Sequence, residues 1–441
     1  MAVSAASNIS MASALDEARE RFVAGHPESG AQHAAACRSL PGGNTRTVLF
    51  FDPFPLTFVR GEGQYLWDAD GKRYTDFLGE YTAGLFGHSD PTIRAAIDGA
   101  LDGGLSFGGH NRMEAAFSAL LVERFPSLEL LRFTNSGTEA NMMALVTARA
   151  VTGRNKVLVM DGGYHGGVLY FGVGGSPINA PFDFVLAPFN DTEATVALIE
   201  RHGPELAAAI LEPMIGGGGC IPAEPGYLEA IRAATRAQGT ILIFDEVMTS
   251  RLAPGGLQEA LGVTPDMTTL GKYIGGGMSF GAFGGRADIM QRFDPRNADA
   301  FPHAGTFNNN VLTMSAGLTA MSEVFPPEAV APFNARGDRL RERLNALARE
   351  QGVAMQATGR GSMMTVHFLE GAVRSPADTA RGNAELRELL FFDLLARGLY
   401  TARRGMINLS LPITDEDCDA LVEAVADFLV ERRSLLSQPP P

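Results

Sequence analysis

A chain of 441 residues has room for two or three core-bearing units, and 45% hydrophobic with 20% charged residues is ordinary for a globular protein. The net charge of −14 argues against nonspecific binding to nucleic acid or to an anionic membrane, though a local site for a small anion stays open. Cys37, Cys220 and Cys418 are widely spaced, with no CxxC or Cys/His pattern, so no metal site is expected.

The first 14 residues lack a basic stretch followed by an apolar one, and no run of about 18 apolar residues occurs. The expectation is a cytoplasmic protein with reduced thiols. Residues 13–24 read as a short helix ended by Gly25, and 40–46 as a loop. Short strands follow at 56–59, 64–68 and 73–77. The turn Asp70-Gly71 joins the last two into a small antiparallel sheet.

From about 90 to 320, strands and helices alternate. Strands are expected at 131–134, 156–160, 207–211, 240–244 and 280–284, with helices at 139–151, 193–201 and 227–237. Most of these strands are continuously apolar, as parallel strands covered on both faces are. This argues an α/β layered domain. Beyond 326 the spacing predicts a long helix over 327–351, a strand at 363–368, a helix at 383–397 and a strand at 408–411. The last helix is capped by Thr414, with Asp415, Glu416 and Asp417 in its first turn. Residues 437–441 read as a frayed tail.

Chemistry concentrates around Lys272, which sits between Gly271 and the triplet Gly275, Gly276 and Gly277. Most lysines are solvated surface groups. Glycines on both sides let the backbone turn sharply and approach a ligand closely, which favours a Schiff-base lysine. Asp245 ends the apolar run 241–244. A carboxylate there needs a cation or donor, such as a protonated pyridine nitrogen; the plain alternative is a helix cap. Ser136, Gly137 and Thr138 open a helix, whose free N–H groups and hydroxyls suit a phosphate; alone they would be a simple N-cap. Tyr164 could stack on a flat ring or pack in the core. Glu212 follows a strand and carries little weight by itself. Together a lysine, a buried acid and a phosphate cradle suit pyridoxal 5'-phosphate (PLP). Arg46, in a glycine-rich loop, and Arg404, before a strand, are candidate carboxylate clamps, although either could be an ordinary surface arginine.

With these residues in view, the chain resembles the class III PLP-dependent aminotransferases of fold type I. The resemblance runs from about 22 to 436. It rests on NSGTEAN at 135–141, YHG at 164–166, Glu212-Pro213, DEV at 245–247, GKYIGGG at 271–277 and GTF at 305–307. Within that class it resembles bacterial aminotransferases of β-phenylalanine and related β-amino acids. The carrying stretches are 44–56, EYTAG at 80–84, DEVMTSRLAP at 245–254 and GTFNNN at 305–310. The resemblance implies a large domain over 81–325, with a mostly parallel sheet flanked by helices. A smaller α+β domain would be formed by 1–80 and 326–441.

It further implies that Lys272 holds PLP and moves the proton, and that Asp245 bonds the pyridine nitrogen. Tyr164 and Val247 would sandwich the ring, and Ser136, Gly137 and Thr138 would hold the phosphate. Thr306 would join that cradle from the partner subunit of a homodimer, and Glu212 would sit beside the cofactor. Arg46 would bind the carboxylate of the β-amino acid. Arg404 would bind that of the 2-oxo acid acceptor, with Arg403 as the neighbouring ambiguity. The implied activity is a ping-pong transfer of an amino group to 2-oxoglutarate or pyruvate. The alternatives are a glutamate-1-semialdehyde aminomutase, an ω-amine transaminase, and a regulator that keeps the fold without the reaction. The mutases usually carry a longer segment after the YHG motif than the short 166–181 stretch here.

Overall fold

The computed structural model describes residues 10–172 and 174–436. The tail expected at 437–441 and the first nine residues lie outside them.

Seven strands form the central sheet. Its order is Leu130–Thr134, Gly281–Gly285, Met267–Gly271, Ile241–Asp245, Leu206–Leu211, Lys156–Met160 and Asp183–Ala187. The five strands from Met267–Gly271 to Asp183–Ala187 in this order pair parallel with one another. Gly281–Gly285 runs antiparallel to the strands on both its sides, so the 280–284 segment departs from the parallel pattern expected of it. The strand at Met267–Gly271 was not legible in advance, because its Thr268 and Thr269 break the apolar run. Both threonines are fully buried, and their hydroxyls are bonded to Gln258, Ser127 and Asn141.

The continuous apolarity of the strands has a direct cause. Alternate residues face opposite sides, and helices cover both. Val157, Val159, Ala208, Ile210 and Ile243 pack with Ala140, Ala144, Leu145 and Ala148 of the helix Gly137–Thr152. Leu158, Met160, Ala209, Leu211, Leu242 and Phe244 pack on the other side with Ile199, Leu228 and Ile231. All of these side chains are essentially inaccessible to water.

The first helix is Met11–Gly25, capped by Ser10, and Gly25 is its last residue rather than a residue beyond it. A second helix, Pro27–Ala36, follows at once. The hairpin around Gly71 forms as expected, from Tyr65–Asp68 and Arg73–Asp76. This sheet is not wholly antiparallel, because Leu399–Tyr400 adds a parallel strand beside Arg73–Asp76. In the C-terminal part, Pro327–Gln351 and Met363–Phe368 match the expected bounds. Met355–Arg360 pairs with Met363–Phe368 as an additional strand. The strand expected at 408–411 is instead Met406–Asn408; the Leu409 N–H still donates to the Ser362 carbonyl opposite it, and the Leu411 N–H donates to the Leu85 carbonyl outside the sheet. Thr414 caps the last long helix in a capping box with Asp417.

Arg251 ties these parts together. Its guanidinium is fully buried without a carboxylate and donates to Ser362 Oγ and to the Thr82 and Leu409 carbonyls. Burial without an anion pulls its pKa down to about 9. No helix among the described residues is long and apolar enough to cross a membrane.

Candidate active site

The parallel strands converge on one edge of the sheet, and the chemistry-bearing residues lie just beyond it. Ile241–Asp245 delivers Asp245, and Met267–Gly271 delivers Lys272 in the turn that follows. Lys272 has a φ of +53°, in the left-handed region that side-chain-bearing residues rarely adopt. The flanking glycines are steric requirements. A Cβ at Gly271 would lie 3.1 Å from Val247 Cγ1 and 3.3 Å from Gly137 Cα. At Gly276 it would lie 2.5 Å from the Ala316 carbonyl.

Asp245 is buried and rigidly held. Its Oδ2 accepts from Asn141 Nδ2 and from His165 Nδ1, each at 2.8 Å, and its Oδ1 accepts the Val247 N–H at 3.0 Å. Asn141 is oriented in turn by the Thr269 hydroxyl, which donates to its Oδ1 at 2.6 Å. Oδ1 thus keeps a free lone pair for an outside donor. The bond to the Val247 N–H occupies one direction only, so Asp245 is not merely a helix cap.

Ser136 caps the helix Gly137–Thr152 by accepting the Glu139 N–H at 3.1 Å. The N–H groups of Gly137 and Thr138 have no acceptor within the helix. A Cβ at Gly166 would lie 2.3 Å from Thr138 Oγ1, so only glycine lets that loop close over the helix start. Glu212 is buried, and its oxygens accept from the Tyr164 and Gly216 N–H groups at 3.1 and 2.9 Å. Burial pushes its pKa up. Tyr164 exposes 44% of its surface beside Tyr170, which leaves its ring face available.

The electrostatics bring the remaining candidates to the same place. Burial lowers the Lys272 pKa to about 8; Asp245 and Glu212 oppose the shift, and Arg404 and Arg46 reinforce it. Both arginines are exposed, and among the described residues neither has a carboxylate partner. Arg404 lies over the Tyr81 ring at 4.7 Å, and the Tyr81 hydroxyl donates to the Val48 carbonyl at 3.0 Å, two residues beyond Arg46. Arg403 turns away and pairs with Glu388 at 3.2 Å, so Arg404 is the arginine free to meet a ligand here. Thr306 is exposed on a loop, and Asn308 of that loop docks on Asn135 at 2.8 Å.

Three positioning groups were not singled out from the sequence. Asn141 and His165 lie inside quoted motifs, but nothing local shows that they meet on Asp245. Tyr81 was one aromatic in a loop. A polar residue on the inward face of an apolar helix, as Asn141 is, was the one usable signal.

The donor set fits PLP. It offers an amine, an acid with a free lone pair, a helix N-terminus with open N–H groups, and a cleft kept clear by Gly137, Gly166 and Gly271. The low pKa also makes Lys272 a better nucleophile, because only the neutral amine attacks an aldehyde. In cofactor-free protein the folded lysine gives up its proton near pH 8, whereas the unfolded one keeps it to about 10.4. The cost of burying the charge is therefore constant below pH 8 and is relieved as pH rises above it. Addition of PLP to cofactor-free protein should develop visible absorbance at a rate that rises with pH and levels off above about pH 8. A rate still climbing steeply at pH 10 would mean the lysine is an ordinary solvated one.

A family model described as aminotransferase class-III matches residues 51–429. The β-phenylalanine transaminase of Variovorax paradoxus is 55% identical over 423 residues, covering 96% of this chain and 97% of that protein. A crystal structure of a β-phenylalanine aminotransferase from that organism superposes with a TM-score of 0.95. It is 54% identical and covers 97% of this chain and 99% of its own. A glutamate-1-semialdehyde 2,1-aminomutase of Desulforudis audaxviator is 38% identical, covering 90% of this chain and 96% of that protein.

Proposed function

The chain belongs to the class-III aminotransferases, a PLP-dependent family of fold type I, and from that premise we propose that it moves the amino group of an aromatic β-amino acid to a 2-oxo acid. The observation that carries the substrate class is the pair of exposed arginines, Arg46 and Arg404, which among the described residues have no carboxylate partner and are both close enough to influence Tyr81 and Lys272. A transaminase that alternates two carboxylate substrates needs a clamp for each, and bidentate arginine suits both. The high identity to a β-phenylalanine transaminase over nearly the whole chain supports the same reading.

When bound, PLP supplies the electron sink that stabilises negative charge on the amine-bearing carbon. Asp245, fixed by Asn141 and His165, would pair with the ring nitrogen. The Ser136–Thr138 helix start holds the phosphate. Tyr164 and Val247 would flank the ring, Gly137 and Gly271 would let it lie close to the backbone, and Glu212 fixes the Tyr164 segment. Lys272 Nζ, its pKa lowered by burial, would act as the neutral base that takes the proton from the amine-bearing carbon. Arg46 orients the donor carboxylate and Arg404 that of the acceptor, 2-oxoglutarate or pyruvate. Thr306, exposed on its loop, reaches the phosphate of a neighbouring subunit, so the active form is a homodimer. Among the described residues, the small domain combines 10–80 with 326–436, a reading supported by the pairing of Leu399–Tyr400 with Arg73–Asp76. The enzyme acts in the cytoplasm, where its three free cysteines remain reduced.

The deciding experiment is a half-reaction. PLP-loaded protein mixed with excess (S)-β-phenylalanine, without acceptor, should lose its visible band and gain one in the near ultraviolet. A response only to glutamate-1-semialdehyde or to simple ω-amines would overturn the substrate class. Arg46→Ala should raise KM for the β-amino acid about 10- to 100-fold, the scale of one lost charge-assisted clamp, with little change in KM for the oxo acid. Arg404→Ala should do the reverse. Equal effects of both variants on both substrates would refute the division of labour.

A further inference from the structure

We propose that a cavity at the opposite edge of the central sheet is a second ligand site, for a small anion carrying two or more phosphate groups. The cavity, of about 820 Å³, is lined by Arg154, Arg232, Arg236, Arg286 and Asp266, with Val151, Ile241 and Pro265 among its apolar walls. That volume lies within the range of small-molecule sites. Ile241 begins the strand that Asp245 ends, and Asp266 directly precedes the strand that leads into Lys272. The two sites are thus separated by a strand length, about 13 Å along the chain.

Four guanidinium groups line this cavity against one lining carboxylate, Asp266, in a protein with a net charge of −14; Arg286 is also paired with Asp288, through Nε at 3.0 Å and Nη2 at 2.6 Å. The carboxylate is already fully used. Asp266 Oδ1 accepts from Arg286 at 2.9 Å, and Oδ2 accepts from Arg232 at 2.9 Å and from the Leu242 N–H at 2.8 Å. Three of the arginines keep donors to spare. Arg232 Nε is buried with no hydrogen-bond partner. Arg154 uses only Nη1, which donates to the Gly203, Leu206, Gln238 and Gly239 carbonyls. Arg236 is exposed and, among the described residues, meets no acceptor.

A basic residue near the C-terminus of a helix commonly offsets the helix dipole, and Arg236 lies in the last turn of Tyr227–Gln238. That explains one arginine. It does not explain donors left open on three separate arginines, Arg154, Arg232 and Arg236, along one concave wall. Guanidinium forks match phosphate oxygens in pairs. A single phosphate would leave most of the charge and most of the space unmet, whereas two phosphoryl groups can engage several forks while the apolar wall takes an organic remainder.

The test uses the PLP-loaded enzyme, in which the phosphate cradle near Lys272 is filled. Inorganic pyrophosphate is titrated calorimetrically at constant ionic strength. Saturable binding at one site per chain is expected, with a matching concentration-dependent rise in Tm. Arg236→Glu, at an exposed position, should weaken binding by at least about tenfold through charge reversal and leave transamination without pyrophosphate unchanged. Arg154→Gln should weaken it as well. Absence of saturable binding, binding indifferent to Arg236→Glu, or displacement by 2-oxoglutarate would each overturn the second site; the last would locate the anion at Arg46 and Arg404.

Discussion

Lys272→Ala is expected to abolish transamination, lowering kcat by on the order of 10⁴-fold or more, the combined scale of losing a nucleophile and a positioned base. The loss should come without unfolding. Lys272 makes no hydrogen bond to another side chain among the described residues, and alanine at a φ of +53° strains one turn no more than lysine does. Purified variant protein should also lack the visible absorbance of a lysine-bound cofactor while retaining PLP-binding capacity through the Ser136–Thr138 cradle and Asp245. Absorbance spectra and single-turnover kinetics read both effects. Turnover near the wild-type rate would remove Lys272 from the centre of the site.

Asp245→Asn is expected to have the next largest effect, a fall in kcat of about 10²- to 10³-fold, the usual scale for losing one preorganised electrostatic partner. The substitution nearly preserves shape but removes the carboxylate proposed to meet the ring nitrogen. It also leaves one acceptor oxygen where there were two, so either the bonds from Asn141 Nδ2 and His165 Nδ1, both 2.8 Å from Oδ2, or the bond from the Val247 N–H to Oδ1 must be lost or reversed. The effect should fall on kcat more than on the KM of either carboxylate substrate, because Arg46 and Arg404 are untouched. A variant altered mainly in KM would make Asp245 a structural residue.

The two variants together separate the chemistry from the fold. Lys272 sits on a turn imposed by the glycines beside it, whereas Asp245 is locked by three donors from three different segments. Sequence alone marked both residues, but for different reasons. The lysine stood out by its glycine neighbours, and the aspartate by its position after four apolar residues.

Much of the architecture was determined by local pattern. Helical spacing set 327–351 and the apolar run set 156–160, both at the bounds observed, because in each the periodicity is uninterrupted and the ends carry strong stop signals. The strand at Met267–Gly271 escaped because its threonines are satisfied by partners distant in sequence: Ser127, Asn141 and Gln258. The antiparallel direction of Gly281–Gly285 and the parallel pairing of Leu399–Tyr400 with Arg73–Asp76 escaped for a related reason. Strand direction depends on how the chain returns, and no residue in the strand records it.

At the site, residue types and spacing pointed to the cofactor chemistry, since a Schiff-base lysine, a buried acid and a helix N-terminus each leave a local mark. Only the tertiary structure sets Arg403 apart from Arg404, because Glu388, which no local signal ties to it, draws Arg403 aside. Only it joined Asn141, His165 and Asp245, which are separated by as many as 104 residues. It alone brought Arg154, Arg232, Arg236 and Arg286 to one cavity. Long-range contacts such as these follow from how the layers pack, and packing is a property of the whole chain rather than of any stretch within it.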